Sequence, residues 1–334
     1  MVFAGVVMQN CASDCKTGVQ VVSRPGEPVR TKVSDAPPDA DGVLEFCATR
    51  EALCATNVRV LRVNESESLG PAFARYLASK LWFGEELFVQ VDAHMWFTDH
   101  WDDVLRAALK ATPSWPKTVL SAYPPGPGAN WKQSTGSRLC RCSFSTSPAE
   151  AHIIRLGSGG GSRTKPGDAQ PMRSAYVAAG FFAAHASFLE HVPFDPYLPF
   201  VFMGEEIHLT ARFWTNGFDV YAPRRPIVAH QYRPGKLGLP KFWESTARTF
   251  GARGGFNTDL SLMIVDRVKH VVGYPEVADN ATAKWPQVLQ HLNDQTGPNY
   301  GLGNQRTLAD FLHQANIDMV QKQTGDALWC NERR

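Results

Sequence analysis

Nowhere in the chain do apolar residues run on for the roughly 18 positions that a membrane-spanning helix requires. A surplus of one charge is also missing: 34 Lys and Arg stand against 32 Asp and Glu, a net charge of +2. That balance speaks against nucleic acid or a strongly anionic surface as the main partner. The opening "MVFAGVVMQN" lacks the basic lead-in and the length of a secretion signal and reads as a first strand. An anchor upstream of it would leave no trace in this sequence. The seven cysteines are odd in number and irregularly spaced, which predicts a reducing compartment. Internal repeats are lacking too. What is present is the profile of a soluble protein with a substantial core, 43% apolar and 20% charged over 334 residues.

Residues 2–7 are apolar enough for a strand, with residues 8–16 as the loop leaving it and 17–38 irregular. Residues 58–63 (VRVLRV) alternate as a second strand. Gly70 and Pro71 then open a helix over 71–83, where Pro71 suits the first turn and Phe73, Leu77 and Leu81 share one face. A strand over 87–91 follows, so the order predicts a parallel βαβ unit with ligands at the carboxyl ends of its strands. A helix over 101–110 and strands over 117–121 and 177–184 come next. "GEEIHLTARFWTNGF" predicts a helix with acids in its first turn and an Asn-Gly stop. Short apolar runs at 219–222 and 226–229 lead to His230. The glycine-rich segment 156–171 lacks the Gly-Lys-Ser/Thr ending of a phosphate cradle and reads as a mobile loop. Beyond residue 236 helical patterns such as "LADFLHQANIDMVQ" prevail. The expected organisation is a nucleotide-binding catalytic domain over 1–235 and a mainly helical region over 236–334 packing on it.

Asp92 and His94 stand one residue apart where the apolar run 87–91 stops. In a strand, residues i and i+2 project to one side, so a carboxylate and an imidazole would enter one crevice. Together they suit a divalent ion of intermediate hardness such as Mn²⁺, and His230 offers a third donor. The plain alternative makes Asp92 a turn cap and His94 an ordinary histidine. Position at a strand end favours the ligand reading. Cys140 and Cys142 form one Cys-x-Cys without a second pair, which predicts two buried or free thiols rather than a zinc site.

Three long segments, "ESLGPAFARYLASKLWFGEELFVQVDAHMWFTDHWD", "VPFDPYLPFVFMGEEIHLTARFWTNGFDVYAP" and "YGLGNQRTLADFLHQA", resemble the N-acetylglucosaminyltransferases that modify hydroxyproline on the adaptor subunit of SCF ubiquitin ligases. These are cytoplasmic relatives of the mucin-type polypeptide GalNAc-transferases. The resemblance implies an α/β GT-A fold, a Rossmann-like and mostly parallel sheet flanked by helices. It also implies UDP-GlcNAc as donor, a divalent metal (Mn²⁺, with Mg²⁺ as the alternative) and retention of configuration. The acceptor would be a protein hydroxyl, and a homodimer is one option for assembly.

Carried over by position, the resemblance makes Asp92, His94 and His230 the metal ligands. Arg75, in "GPAFAR", would hold Asp92 or the donor's diphosphate, unless it is simply an exposed helix arginine. Gly180 and Phe181 fall on the strand beneath the sugar, where glycine permits close approach. Glu205, with Glu206 beside it, matches an acid that positions the sugar and stabilises charge at the anomeric carbon, which leaves open which of the two matters more. Asp195 borders the acceptor side, and Asn10, at the first loop, joins the substrate-binding set. That loop departs from the family: "QNCASDC" replaces a Tyr-Arg-Asp-Pro-Glu-Cys-like turn, with Cys15 matched and Cys11 in the arginine's place.

Two other functions compete. Two histidines and a carboxylate also make the triad of a non-haem iron oxygenase, although that motif has the reverse order and sits on an antiparallel sheet. The second is an inactive sugar- or protein-binding homologue.

Overall fold

The computed structural model describes residues 2–17, 34–128, 130–134, 136–146, 152–157, 170–232, 259–278 and 284–330. Most of the glycine-rich segment 156–171 lies outside them. The chain divides into two compact units: residues 1–83, 194–202 and 233–262, then residues 84–193, 203–232 and 263–334.

In the first unit β1 (Ala4–Asn10) lies parallel to β4 (Val58–Asn64), in register from Ala4↔Val58 to Asn10↔Asn64. The first strand therefore runs three residues beyond its apolar stretch. Parallel backbone bonds to β4 do not need apolar side chains, so polar Gln9 and Asn10 stay in the ladder. Between them come β2 (Lys16–Thr17), antiparallel to β3 (Ser34–Asp35), and helices α1 (Gly42–Cys47) and α2 (Glu51–Asn57). Asp41 caps α1 by accepting from the Leu44 N–H at 2.8 Å. α3 (Pro71–Ser79) starts at Pro71 as expected, after Gly70 at φ +93°, but stops four residues short of the expected end.

In the second unit the elements run β5 (Leu87–Val91), β6 (Met95–Phe97), α4 (Trp101–Lys110), β7 (Thr118–Ser121), β8 (Arg141–Phe144), β9 (Ile154–Gly157) and β10 (Met172–Arg173). They continue through β11 (Phe181–His185), α5 (Phe188–His191), α6 (Glu205–Thr215), β12 (Asp219–Ala222) and β13 (Val228–His230). After α7 (Asp259–Val272) and α8 (Pro275–Ala278) the chain ends in α9 (Leu308–Gln314), β14 (Ile317–Asp318) and β15 (Gln323–Thr324).

A five-stranded sheet has the order β10-β12-β7-β11-β5. The α/β class is as expected, but this sheet is mixed: β12 and β7 are parallel, and every other pairing in it is antiparallel. β5, expected in a parallel βαβ unit, pairs antiparallel with β11, Val91 facing Phe181. Strand partners are set by contacts distant in sequence, which local order does not reveal.

β11 shows how the core forms. Phe181 faces Leu105, Leu109, Leu120, Tyr221 and Ile227, whereas Phe182 turns to Phe188 and Phe213, each with ring centroids at 5.8 Å. Residues 177–180, expected in the same strand, run irregularly because side chains take their N–H groups. Val177 donates to Thr210 Oγ1, Ala178 to Ser121 Oγ and Ala179 to Glu206 Oε1. α6 begins with its two acids and stops at Asn216, with Gly217 at φ +84°. The expected C-terminal helix is cut short where Asn316 turns to φ +56° before β14.

The cysteine reading needs correction. Cys11–Cys15, Cys47–Cys54 and Cys140–Cys330 are disulfides, and Cys142 is a buried thiol. Cys140 is therefore not a thiol, since its partner lies 190 residues away, beyond the reach of any spacing rule. Six paired cysteines speak against a reducing compartment. Among the described residues no helix is long and apolar enough to cross a membrane.

Candidate active site

β5 ends at Val91, and the chain breaks from the sheet before β6 resumes at Met95. Asp92 and His94 lie in that break, so strand alternation is not what relates them. His94 adopts φ +60°, a left-handed turn that costs a non-glycine residue of order 1 kcal/mol. The Asp92 N–H donates to the Gly180 carbonyl at 3.0 Å. A Cβ on Gly180 would sit 3.0 Å from Asp92 Oδ2, so glycine is what lets the carboxylate lie against the backbone there.

His230 arrives from the opposite strand. β13 pairs with β6, His230 facing Met95, and the Gln231 N–H donates to the His94 carbonyl at 3.1 Å. Burial lowers the His230 pKa, opposed by the Asp92 charge and helped by His94, while a bond to the Ala93 backbone acts upward. The ring is thus held toward its neutral, ligating form. Asp92 and His94 thus lie near enough to His230 for their charges to act on it.

Glu206 stands beside them. Its Oε1 accepts from the Ala179 N–H at 3.0 Å and its Oε2 from the Tyr123 hydroxyl at 2.6 Å. Burial, with the Glu206 charge and hydrogen bond adding, holds the Tyr123 phenol well above its ordinary pKa. Tyr232 is half exposed; partial burial of its phenol, with the charges of Asp92 and Glu206 adding, pushes its pKa up to about 12. Its hydroxyl donates to the Pro124 carbonyl at 2.9 Å, and its ring meets His230 edge-on at 4.4 Å.

The other expected residues are placed as follows. Glu205 opens α6 and is buried. The Phe181 side chain is only 1% exposed within the core and is among the residues lining a cavity of about 460 Å³. Asn10, Arg75 and Asp195 belong to the first unit. There Asn10 donates to the Ala40 carbonyl, Arg75 lies half-buried on α3, and buried Asp195 accepts from the Tyr197 N–H at 2.9 Å.

Tyr123 and Tyr232 escaped the sequence reading. The available signals were weak: Tyr123 stands two residues after β7 and before two prolines, and Tyr232 stands two residues after His230.

One carboxylate and two imidazoles, one of them held toward neutrality, have the donor chemistry of a site for a divalent first-row cation. The geometry is less complete: among the described residues no group of three His, Cys, Asp or Glu side chains is arranged to hold a metal ion.

A family model described as Glycosyltransferase (GlcNAc) matches residues 2–321. No curated protein matches the chain in sequence. Among solved structures, the crystal structure of GalNAc-T7 with UDP, GalNAc and Mn²⁺ is 18% identical with a TM-score of 0.46. That match covers 83% of this chain and 46% of the other, so the chain spans less than half of that protein's length.

Proposed function

The chain belongs to the GlcNAc glycosyltransferase family, and from that premise we propose that it moves GlcNAc from UDP-GlcNAc to a protein hydroxyl, with retention of configuration. The observation that carries this reading is the meeting of Asp92, His94 and His230 beside Gly180 and Glu206. The fold we assign is GT-A. We take residues 1–235 as the catalytic part and 236–334 as a region able to seat a partner.

In this reading Asp92, His94 and His230 hold a divalent cation, Mn²⁺ by preference and Mg²⁺ otherwise. When bound, that cation supplies Lewis-acid neutralisation of the departing diphosphate. The protein's own part is electrostatic. Glu206, fixed by Ala179 and Tyr123, sets a negative charge near the ligand group, where cationic character develops at the anomeric carbon. Glu205, buried in the first turn of α6, is assigned the same electrostatic role, and Gly180 keeps the backbone low against Asp92. Arg75, Asn10 and Asp195 are assigned to donor and acceptor binding.

The proposed acceptor is hydroxyproline of the SCF adaptor subunit. Three disulfides favour an oxidising compartment over the cytoplasmic one, so the test carries two peptides. The protein is incubated with UDP-GlcNAc, Mn²⁺ and a hydroxyprolyl peptide from the adaptor or from an unrelated sequence. Mass spectrometry is expected to find one GlcNAc added to the adaptor peptide. Addition only to the unrelated peptide would keep the chemistry and remove the adaptor. No addition to either, with no UDP released, would end the transferase reading.

A further inference from the structure

Three consecutive residues after β7 reach three parts of the candidate site. The Tyr123 hydroxyl donates to Glu206 Oε2 at 2.6 Å. The Pro124 carbonyl accepts from the Tyr232 hydroxyl at 2.9 Å, and the Pro125 carbonyl accepts from the His230 N–H at 2.9 Å. Pro124 and Pro125 have ring-locked φ angles and no N–H of their own, so this short span is stiff and presents acceptors only. The Tyr123 ring lines the cavity of about 460 Å³ together with Pro125, Phe181 and Val228. Its phenol is buried and kept protonated, hence a donor at any physiological pH.

We propose that Tyr123 is a positioning residue that fixes the Glu206 carboxylate in register with His230 and Tyr232, the Pro124–Pro125 pair acting as the rigid link between them. The inference rests on the glycosyl-transfer reading for its consequence, but not for its geometry. A hydrogen bond to a carboxylate is stronger than one between neutral groups, and this one sets which way Glu206 faces. With its second oxygen on the Ala179 N–H, the carboxylate is held at both ends. Loss of the Tyr123 hydroxyl removes that bond while the ring still fills its place.

The experiment compares wild type, Tyr123→Phe, Glu206→Gln and the double variant. Turnover of UDP-GlcNAc is expected to fall about 10- to 100-fold in kcat for Tyr123→Phe, with donor KM within about twofold. The double variant is expected to be no slower than Glu206→Gln, because Tyr123 acts through that carboxylate. Wild-type kcat in Tyr123→Phe, or effects that multiply in the double variant, would overturn the assignment. Hydrogen exchange at the Ala179 amide gives a readout that needs no turnover: it is expected to quicken about tenfold or more in Tyr123→Phe, with Glu206→Ala as the positive control. Unchanged exchange would overturn the proposal even in an active enzyme. Absence of wild-type turnover would sink the transferase reading and leave Ala179 exchange to decide the role of Tyr123.

Discussion

At Gly180 one added carbon would stand 3.0 Å from Asp92 Oδ2, tight enough to move the carboxylate by a few tenths of an ångström. Gly180→Ala is therefore expected to weaken calorimetric binding of UDP with Mn²⁺ roughly 10- to 100-fold, the usual penalty for disturbing the support of a ligand. The thermal midpoint should stay within about 1 °C, a shift corresponding to under about 1 kcal/mol in a chain of this length. Asp92→Ala or His230→Ala is expected to abolish the Mn²⁺-dependent part of UDP binding with the far-UV spectrum unchanged. Affinity equal to wild type in Asp92→Ala would remove it from the ligand set. Asp92, His94 and His230 stand out as candidates in the sequence because ion-binding side chains are unusual where apolar runs stop. Tyr123 could not: a tyrosine in a loop just past a strand looks like any other, and its value lies in the position of Glu206, 83 residues away. The left-handed turn at His94 was hidden as well, because no glycine or asparagine marks it.

Elements with strong local patterns were legible: α4 and β5 span the expected residues, and α6 begins and ends at its expected signals. The expectations that failed depend on distant partners. β11 starts late because Thr210, Ser121 and Glu206 take the preceding N–H groups. β12 opens on Asp219, an acid in a buried strand that nothing local explains. Its Oδ1 pairs with Arg173 from β10 and with Arg306, each at 2.7 Å, and its other oxygen accepts from the Ser114 hydroxyl. Burial pushes its pKa upward, but Arg173, Ser114 and Arg306 together prevail and lower it. With the folded pKa below the unfolded one, the stabilisation is present above about pH 4 and is lost as pH falls through the folded value. Asp219→Asn is expected to cost about 2–3 kcal/mol in urea denaturation at pH 7. The gap from wild type should narrow below pH 4; a constant gap down to pH 2 would show that the charge is not what stabilises.

Across the whole chain, cysteine pairing is what composition concealed most completely. Cys47–Cys54 joins α1 to α2, whereas Cys140–Cys330 closes a loop of 190 residues. The C-terminal segment is held there a second time. Arg138 donates to the carbonyls of Trp329 and Cys330, and the Ala327 N–H donates to the Cys140 carbonyl. By loop-closure entropy a link over such a span contributes about 5 kcal/mol at most. Cys330→Ser is therefore expected to lower the thermal midpoint by several degrees in calorimetry. A midpoint identical to wild type would mean that Arg138 and Ala327 suffice. Non-reducing peptide mapping should return three linked pairs and one thiol. That thiol is Cys142, buried and pushed up to about 11, so it should resist alkylation until the protein unfolds.

The backbone at residue 94 acts as a filter on what the position will accept. Left-handed φ shuts out β-branched and bulky aliphatic residues, while glycine, asparagine, aspartate and histidine pass. Of those, glycine brings no donor atom. The remaining repertoire is an imidazole, an amide or a second carboxylate, a ladder of increasing hardness that one codon change can climb without rebuilding the loop. Chain geometry selects first, and coordination chemistry chooses among the survivors.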